Sequence, residues 1–194
     1  MKSFPPYSHL ELLLASKSPR RRQLLAGLDV AVQLVDIEVE ESYPETLKNS
    51  DIGEYLAIKK SKGYQKPLKE HQVLLTADTV VLQDDIHFAK PINTAEAKAM
   101  IRAFANNTHE VITGVCLRSA DKQISFSELT KVSFMPLSDS AIDHYVNHYE
   151  VLDKAGAYGI QDWLGLTTIK KIEGCYYNVM GLPTYKIFRE LAHF

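Results

Sequence analysis

The first apolar run of the chain, Leu12–Ala15, is followed at once by Ser-Lys-Ser-Pro. Four apolar residues are too few for a helix and suit a buried strand. Ser18 stands where a helix N-cap is needed and Pro19 at the first helical position. A helix over Arg20–Ala26 follows, with Leu24, Leu25 and Leu28 facing inward and Gly27 as the stop. Ala31–Val39 alternates loosely, the pattern of a second strand, and gives way to an acidic, Pro-containing loop, Glu38–Glu45. Ser50 or Asp51 can cap a helix that ends near Tyr64. Gln72–Thr76 is rich in β-formers, and the run stays extended past Asp78 and through Val80–Leu82 until Gln83-Asp84-Asp85 turns the chain.

Asn93 and Glu96 have capping-box spacing ahead of a helix over Ala95–Ala105. Two long β-type stretches, His109–Arg118 and Gln123–Met135, are joined by Ser119–Lys122 and predict a hairpin. Ser138 opens a helix that ends near Tyr149, and the last helix runs from Gly181-Leu182-Pro183 towards Phe194. Helices and strands alternate in the first half, whereas the second half carries the hairpin and a Gly-rich segment. That order predicts a mixed α/β architecture with a cleft between a larger and a smaller part. With no repeat, low-complexity tract or linker in sight, residues 1–194 are expected to form a single domain with two lobes around that cleft.

Composition narrows the function classes. The 194 residues are 45% hydrophobic and 24% charged, which fits an ordinary globular protein with one substantial core. A formal net charge of −2 gives no general attraction to nucleic acid or to an anionic membrane. Any polyanionic ligand must therefore be met by a local cluster of Arg and Lys, which makes the position of each one informative. Cys116 and Cys175 form no CxxC pair, which argues against a zinc site or a disulfide scaffold. The opening stretch, Met1–Ser16, lacks the basic region and long apolar segment of a secretion signal, and no stretch approaches the ~20 apolar residues that span a bilayer. A cytoplasmic location is the expectation.

Ser16-Lys17-Ser18-Pro19-Arg20-Arg21-Arg22 gathers hydroxyls, guanidinium groups and free backbone N–H groups where a strand enters a helix. A helix N-terminus is a natural phosphate seat, and Arg adds bidentate recognition of phosphate oxygens. Taken alone, the segment reads first as a capped helix with solvated arginines and second as a phosphate site. Glu38, Glu40 and Glu41 are either a solvated acidic loop or a source of ligands for Mg²⁺, which takes one or two carboxylates plus water and phosphate oxygens. Lys60 is a surface lysine or a phosphate contact. Asp78 differs in kind, because a carboxylate inside an apolar strand is costly unless it is paired or binds metal. Lys90, before Pro91, sits at a rigid place from which an ammonium can meet a phosphate. Tyr158-Gly159-Ile160-Gln161 and Gly174–Gly181 combine flexible backbone with amide and aromatic groups suited to a base pocket. His144 and His148 share a helix face without the HExxH pattern and read as solvated, and His71, His87 and His109 have no identifiable partner.

Seven ordered blocks together resemble the Maf family along nearly the whole chain. Leu13-Leu14-Ala15-Ser16-Lys17-Ser18-Pro19-Arg20-Arg21 is similar to its LAS-x-SPRR signature and Leu56-Ala57-Ile58-Lys59-Lys60 to its LAxxK helix. Ala77-Asp78-Thr79-Val80-Val81 resembles its ADT strand, Lys90-Pro91 its K-P loop and Thr108–Val115 its TGV strand. Asp153–Gln161 and Tyr176–Pro183 match its late blocks. The resemblance implies an inosine-triphosphatase-like α/β body with a central twisted sheet and flanking helices, usually a homodimer. It implies a nucleoside triphosphate pyrophosphatase, with Ser16, Arg20, Arg21, Glu41, Lys60, Asp78, Lys90 and Gln161 lining the cleft. Arg21, Thr79 and Gln161 would be the base-specific positions, and the late blocks resemble the dTTP/UTP branch rather than the branch acting on 7-methyl-GTP. On that reading Asp78 and Glu41, with Glu38 as the alternative, hold Mg²⁺ or Mn²⁺, and Asp78 serves water attack between the α- and β-phosphates. Lys60 and Lys90, with the arginines, neutralise the triphosphate. The family's association with septum inhibition also implies a rival, a nucleotide-binding regulator without catalysis. Thr76 replaces a Gly of the pattern, Ala89 replaces a Gly or Glu, and Asp162-Trp163 stands where a Gly follows the Gln, which puts Trp163 at the edge of the base pocket.

Overall fold

The apolar run that opens the chain forms a strand buried on both faces, and this fixes the arrangement around it. In the computed structural model, which describes residues 5–194, β1 (Glu11–Leu14) pairs in parallel with β2 (Ala31–Leu34) on one side and with β3 (Gln72–Gln83) on the other. Parallel neighbours need crossover connections, and helices α1 (Pro19–Ala26) and α2 (Ile52–Gly63) supply them. A strand covered on both faces reads as a continuous apolar run, as Leu12-Leu13-Leu14 does. Leu12 and Leu14 pack with Val73, Leu75, Leu25 and Ile187, whereas Leu13 and Ala15 pack with Leu74 and with Val35, Ile37 and Leu68. The first four residues of the stretch read against a secretion signal, Met1–Phe4, lie outside the described residues.

The remaining predicted elements follow in order, with short additional ones between them. After β3 come β4 (Ile86–His87), α3 (Thr94–Phe104), β5 (Thr108–Arg118), β6 (Gln123–Phe134), α4 (Asp139–His148), α5 (Trp163–Thr168), β7 (Ile169–Glu173), α6 (Tyr176–Val179) and α7 (Thr184–Leu191). The seven-stranded sheet runs β2-β1-β3-β5-β6-β7, with β4 paired antiparallel to β3. Asp84 and Asp85 both adopt φ near +50 to +60°, so the β3–β4 turn has left-handed residues at both central positions, which Asp tolerates. Ser18, Asn93 and Ser138 cap α1, α3 and α4 through their side chains, as their spacing predicts. The Asn93 box closes one residue early, because the Glu96 carboxylate accepts from the Ile92 N–H at 2.7 Å.

One expectation is corrected, and short elements appear that were not expected. The second strand ends at Leu34 rather than Val39, since its pairing partner β1 ends at Leu14 and the last bond between them is from the Val35 N–H to the Leu14 carbonyl. The Gly- and Tyr-rich segment near 174–181 contains the short helix α6. Between the Gln161 loop and that helix, α5 and β7 carry no periodicity strong enough to announce them: α5 has six residues, and β7 has five, four of them exposed.

The described chain divides into two units. One contains the chain up to Asp78 with Thr113–Glu128 and Gly181–Phe194; the other contains Thr79–Ile112 and Leu129–Met180. The first has the core just described. The second is centred on aromatic rings: Phe104 stacks on His109 at 4.2 Å, and Phe134 meets Tyr158 edge-on at 5.0 Å. His109, expected to lack a partner, is fully buried, and its Nε2 lies 2.7 Å from the Tyr158 hydroxyl. Burial pushes its pKa from 6.5 down to about 3, so it stays neutral in the fold. The unfolded imidazole takes up a proton below pH 6.5 and the folded one does not, so stability falls as pH drops from 6.5 towards 3. The slope from this one group reaches at most about 1.4 kcal/mol per pH unit. Urea unfolding across that range is expected to show this component, and a His109→Gln variant is expected to lose it.

Candidate active site

In β3 every residue from Gln72 to Leu82 is buried except Asp78 and Thr79, so the only polar opening along that stretch falls on the residues singled out from sequence. Asp78 does not stand alone: Lys60, in the last turn of α2, places its ammonium 2.5 Å from Asp78 Oδ1. The same ammonium lies 2.8 Å from Glu41 Oε1 in the acidic loop. Lys60 and Asp78 are largely shielded, with side-chain exposures of 12% and 14%, whereas Glu41 is 58% exposed. Partial burial makes this pairing count for more than a surface ion pair, because a lone charge at either inner position would be left without compensation. Lys59 holds the loop in place by donating to the Ser42 carbonyl at 2.7 Å and to its hydroxyl at 2.9 Å. That tether sets Ser42 beside α2, and Glu41, the residue before it, is the candidate carboxylate that pairs with Lys60.

The strand-to-helix segment is built around Arg21. The Ser18 hydroxyl accepts from the Arg21 N–H at 3.4 Å, and the Ser16 hydroxyl accepts from the Ser18 N–H at 3.2 Å. The Arg21 guanidinium reaches back over this turn: NH1 donates to Ser16 Oγ at 3.3 Å and to the Ala77 carbonyl at 2.8 Å, while Nε donates to the Gly181 carbonyl at 2.9 Å. Arg21 thus joins the β1–α1 turn, the residue before Asp78 and the entry to α7, three segments far apart in sequence. Burial pulls its pKa below the usual value, and the Asp78 carboxylate opposes that fall, as Glu41 does more weakly; the neighbouring Arg20 adds to it. Ser16, Arg20, Arg21, Glu41, Lys60 and Asp78 all belong to one unit. Ser16 and Arg21, and Glu41, Lys60 and Asp78, are in direct contact, with Ala77 linking the two groups.

Thr79, Lys90 and Gln161 belong to the other unit. Lys90 is exposed ahead of a buried Pro91, and the Gly156 N–H donates to the Ala89 carbonyl at 3.3 Å, which ties the Lys-Pro loop to the turn before Gln161. The Gln161 Oε1 atom is buried and has no hydrogen-bond partner among the described residues. Its loop is held from behind. Tyr145 donates to Asp162 Oδ2 at 2.8 Å and accepts from the Gly159 N–H at 3.0 Å, and a Cβ at Gly159 would lie 2.4 Å from the same Asp162 oxygen. Lys154, nearly buried, bonds Asp153 Oδ1 at 2.7 Å and the Glu150 carbonyl, and approaches Asp162 at 4.0 Å. The Tyr145–Asp162–Lys154 set was not singled out from sequence; the pairing of two Asp with one Lys around a Gly-rich block was the available signal.

Several groups read as pocket material are structural. Tyr158 lies in the aromatic core, and Asn178 donates to the Val111 carbonyl and to Thr130 Oγ1, both at 3.0 Å. Trp163 opens α5 with its ring edge-on to His144 at 4.8 Å. His144 and His148 are exposed and stacked at 4.5 Å. Among the described residues no group of three or more His, Cys, Asp or Glu converges on a common point, and no helix is long and apolar enough to cross a membrane.

With this geometry in view, a protein-family model described as Maf-like protein matches residues 11–194. A dTTP/UTP pyrophosphatase of Parabacteroides distasonis is 43% identical over 185 residues, covering 95% of this chain and 96% of the relative. The protein of the same name from Flavobacterium johnsoniae is 43% identical over 94% of each chain. That from Cytophaga hutchinsonii is 45% identical over 93% of this chain and 83% of its own.

The Arg21 fork gives a test. Lys has one donor centre where Arg has several in a fixed plane, so Arg21→Lys strands at least one half-buried carbonyl. A loss of about 1–3 kcal/mol is expected in urea unfolding. Arg22→Lys, at the exposed neighbouring position, should stay within about 0.5 kcal/mol.

Proposed function

Because the chain belongs to the Maf-like family, we propose that it is a nucleoside triphosphate pyrophosphatase that cleaves dTTP and UTP to the monophosphate and pyrophosphate. The observation that carries the reading is one ammonium, Lys60, held between the carboxylates of Asp78 and Glu41, with Arg21 fixed to the residue before Asp78. A cation set beside a half-buried carboxylate can meet phosphate charge while the carboxylate accepts a proton.

In the step proposed, a water oxygen bonds to the α-phosphorus as the bond from that phosphorus to the α,β-bridging oxygen breaks. The proton released by the water passes to Asp78, and pyrophosphate leaves with the bridging oxygen and its electron pair. Lys60, Lys90, Arg20 and Arg21 lower the barrier by opposing the charge that grows on the leaving group. Arg21, Thr79 and Gln161 are the positions at which the base would be read. The unpartnered Gln161 oxygen wants a donor, and the ring N3–H of uracil and thymine is one that cytosine lacks. The residues fit a divalent ion, since Asp78 and Glu41 already share one cation in Lys60, and two carboxylates with water and phosphate oxygens suit Mg²⁺ or Mn²⁺. Asp78 and Glu41 would hold it, and when bound it would neutralise phosphate charge and acidify a bound water. A cytoplasmic location and a homodimeric state belong to the same reading.

Pyrophosphate release measured with dTTP, UTP, CTP and 7-methyl-GTP, with Mg²⁺, Mn²⁺ or a chelator, tests the proposal. Release from dTTP and UTP that the chelator stops is expected; preference for 7-methyl-GTP, or nucleotide binding without release, would replace the reading. Asp78→Asn is expected to lower kcat by roughly 10²–10⁴-fold with a much smaller change in KM.

A further inference from the structure

The side chain that sets the reaction's cation in place must itself be set in place, and α2 carries Lys60 near its C-terminal end. Apolar burial of Ile52, Leu56 and Ala57 holds α2 against the sheet, but such contact is non-directional and does not fix axial position to a fraction of an ångström. Polar contacts do. Glu54, in the first turn of α2, accepts from the hydroxyls of Ser125 at 2.7 Å and Ser127 at 2.8 Å, two β6 residues on the same side of the strand. At the far end, Arg118 of β5 donates to Ser61 Oγ at 3.0 Å and to the carbonyls of Ser61 and Tyr64, both at 2.8 Å. An anion at the helix N-terminus and a cation at its C-terminus are where the helix dipole favours them. β5 can approach closely because residue 114 is Gly: a Cβ there would lie 2.1 Å from the Glu54 nitrogen. None of Glu54, Ser125, Ser127 or Arg118 enters the chemistry above.

The geometry points to Glu54 as a positioning residue that acts through Lys60. Its clamp on Ser125 and Ser127 fixes the register of α2 on the sheet, and with it the placement of the Lys60 ammonium on Asp78, six residues or about 9 Å further along the helix. This rests on the pyrophosphatase reading for its catalytic consequence, but not for its structural one. Glu54→Ala is expected to lower kcat for dTTP about 10–100-fold, the scale of a displacement near 1 Å, with KM nearly unchanged. Glu54→Gln, which keeps one acceptor oxygen, should recover most of that loss. In a Lys60→Ala background the further substitution Glu54→Ala should change the residual kcat by less than about twofold, because the two act as one unit. Full additivity in that cycle would overturn the proposal, since a general structural role moves both backgrounds alike. A crystal structure of Glu54→Ala serves independently of activity: Lys60 Nζ withdrawn from Asp78 is expected, and an unchanged 2.5 Å contact would overturn the assignment. Should Glu54→Ala not fold, Ser125→Ala with Ser127→Ala removes the same bonds from the other side and is read by the same two measurements. Wild-type protein that releases no pyrophosphate would sink the functional reading and leave the crystallographic comparison to decide the positional one.

Discussion

A charge placed inside an apolar strand has to be compensated, and the Asp78 carboxylate shows what this demands of a chain. Its compensation is the Lys60 ammonium, which Glu41 meets from the other side. For that contact to exist, α2 must end beside β3, the acidic loop must be drawn in by Lys59, and the strand must open where it is otherwise sealed. Each condition is met by a separate set of bonds: Thr76 donates to the Ala57 carbonyl at 2.7 Å, and Lys59 grips Ser42. Thr76, a departure from the family pattern, therefore joins β3 to α2 rather than merely filling space. The same apparatus that makes a buried carboxylate tolerable also leaves a cation and two carboxylates at one point, and this arrangement invites phosphate chemistry.

Arg21 plays the corresponding part for the first turn of the chain. Its side chain satisfies two backbone carbonyls and a hydroxyl that would otherwise be left to water or to nothing. A guanidinium engaged at three points is held stiffly. Its neighbour Arg22, one residue on, faces solvent. The run of three arginines is thus not a basic patch; the helix turn sorts its members into different roles.

How much of this was legible beforehand depends on how local each cause is. The Ser18-Pro19 start of α1, the Asn93 and Ser138 caps and the Asp84-Asp85 turn are decided by a few consecutive residues, and the sequence declares them. Asp78 was legible because a single carboxylate interrupts an apolar run, and Ser16, Arg21 and Lys60 because they lie in blocks whose order matches a family. The pairing of Glu41 with Lys60 was not legible, since it comes with Lys59 meeting Ser42 across the fold. His109, Tyr158 and Asn178 were misread for a related reason. A polar or aromatic residue looks alike in sequence whether it faces a ligand or a core, and only the Tyr158 hydroxyl beside the imidazole, or the Thr130 hydroxyl beside the amide, tells them apart. Helices and strands as short as α5, α6 and β7 are set by their neighbours more than by their own residues.

The chain leaves its first unit within β3, returns to it within β5, leaves again within β6 and returns once more at Gly181. Leu182, Ile187 and Leu191 of the last segment pack into the same core as Leu12 and Leu14. During synthesis, then, the opening strands leave the ribosome long before the residues that cover them. Apolar β1 and β3 must wait, incompletely shielded, until the final helix emerges. Until α7 has been made, such a nascent chain is exposed to mispairing with other chains.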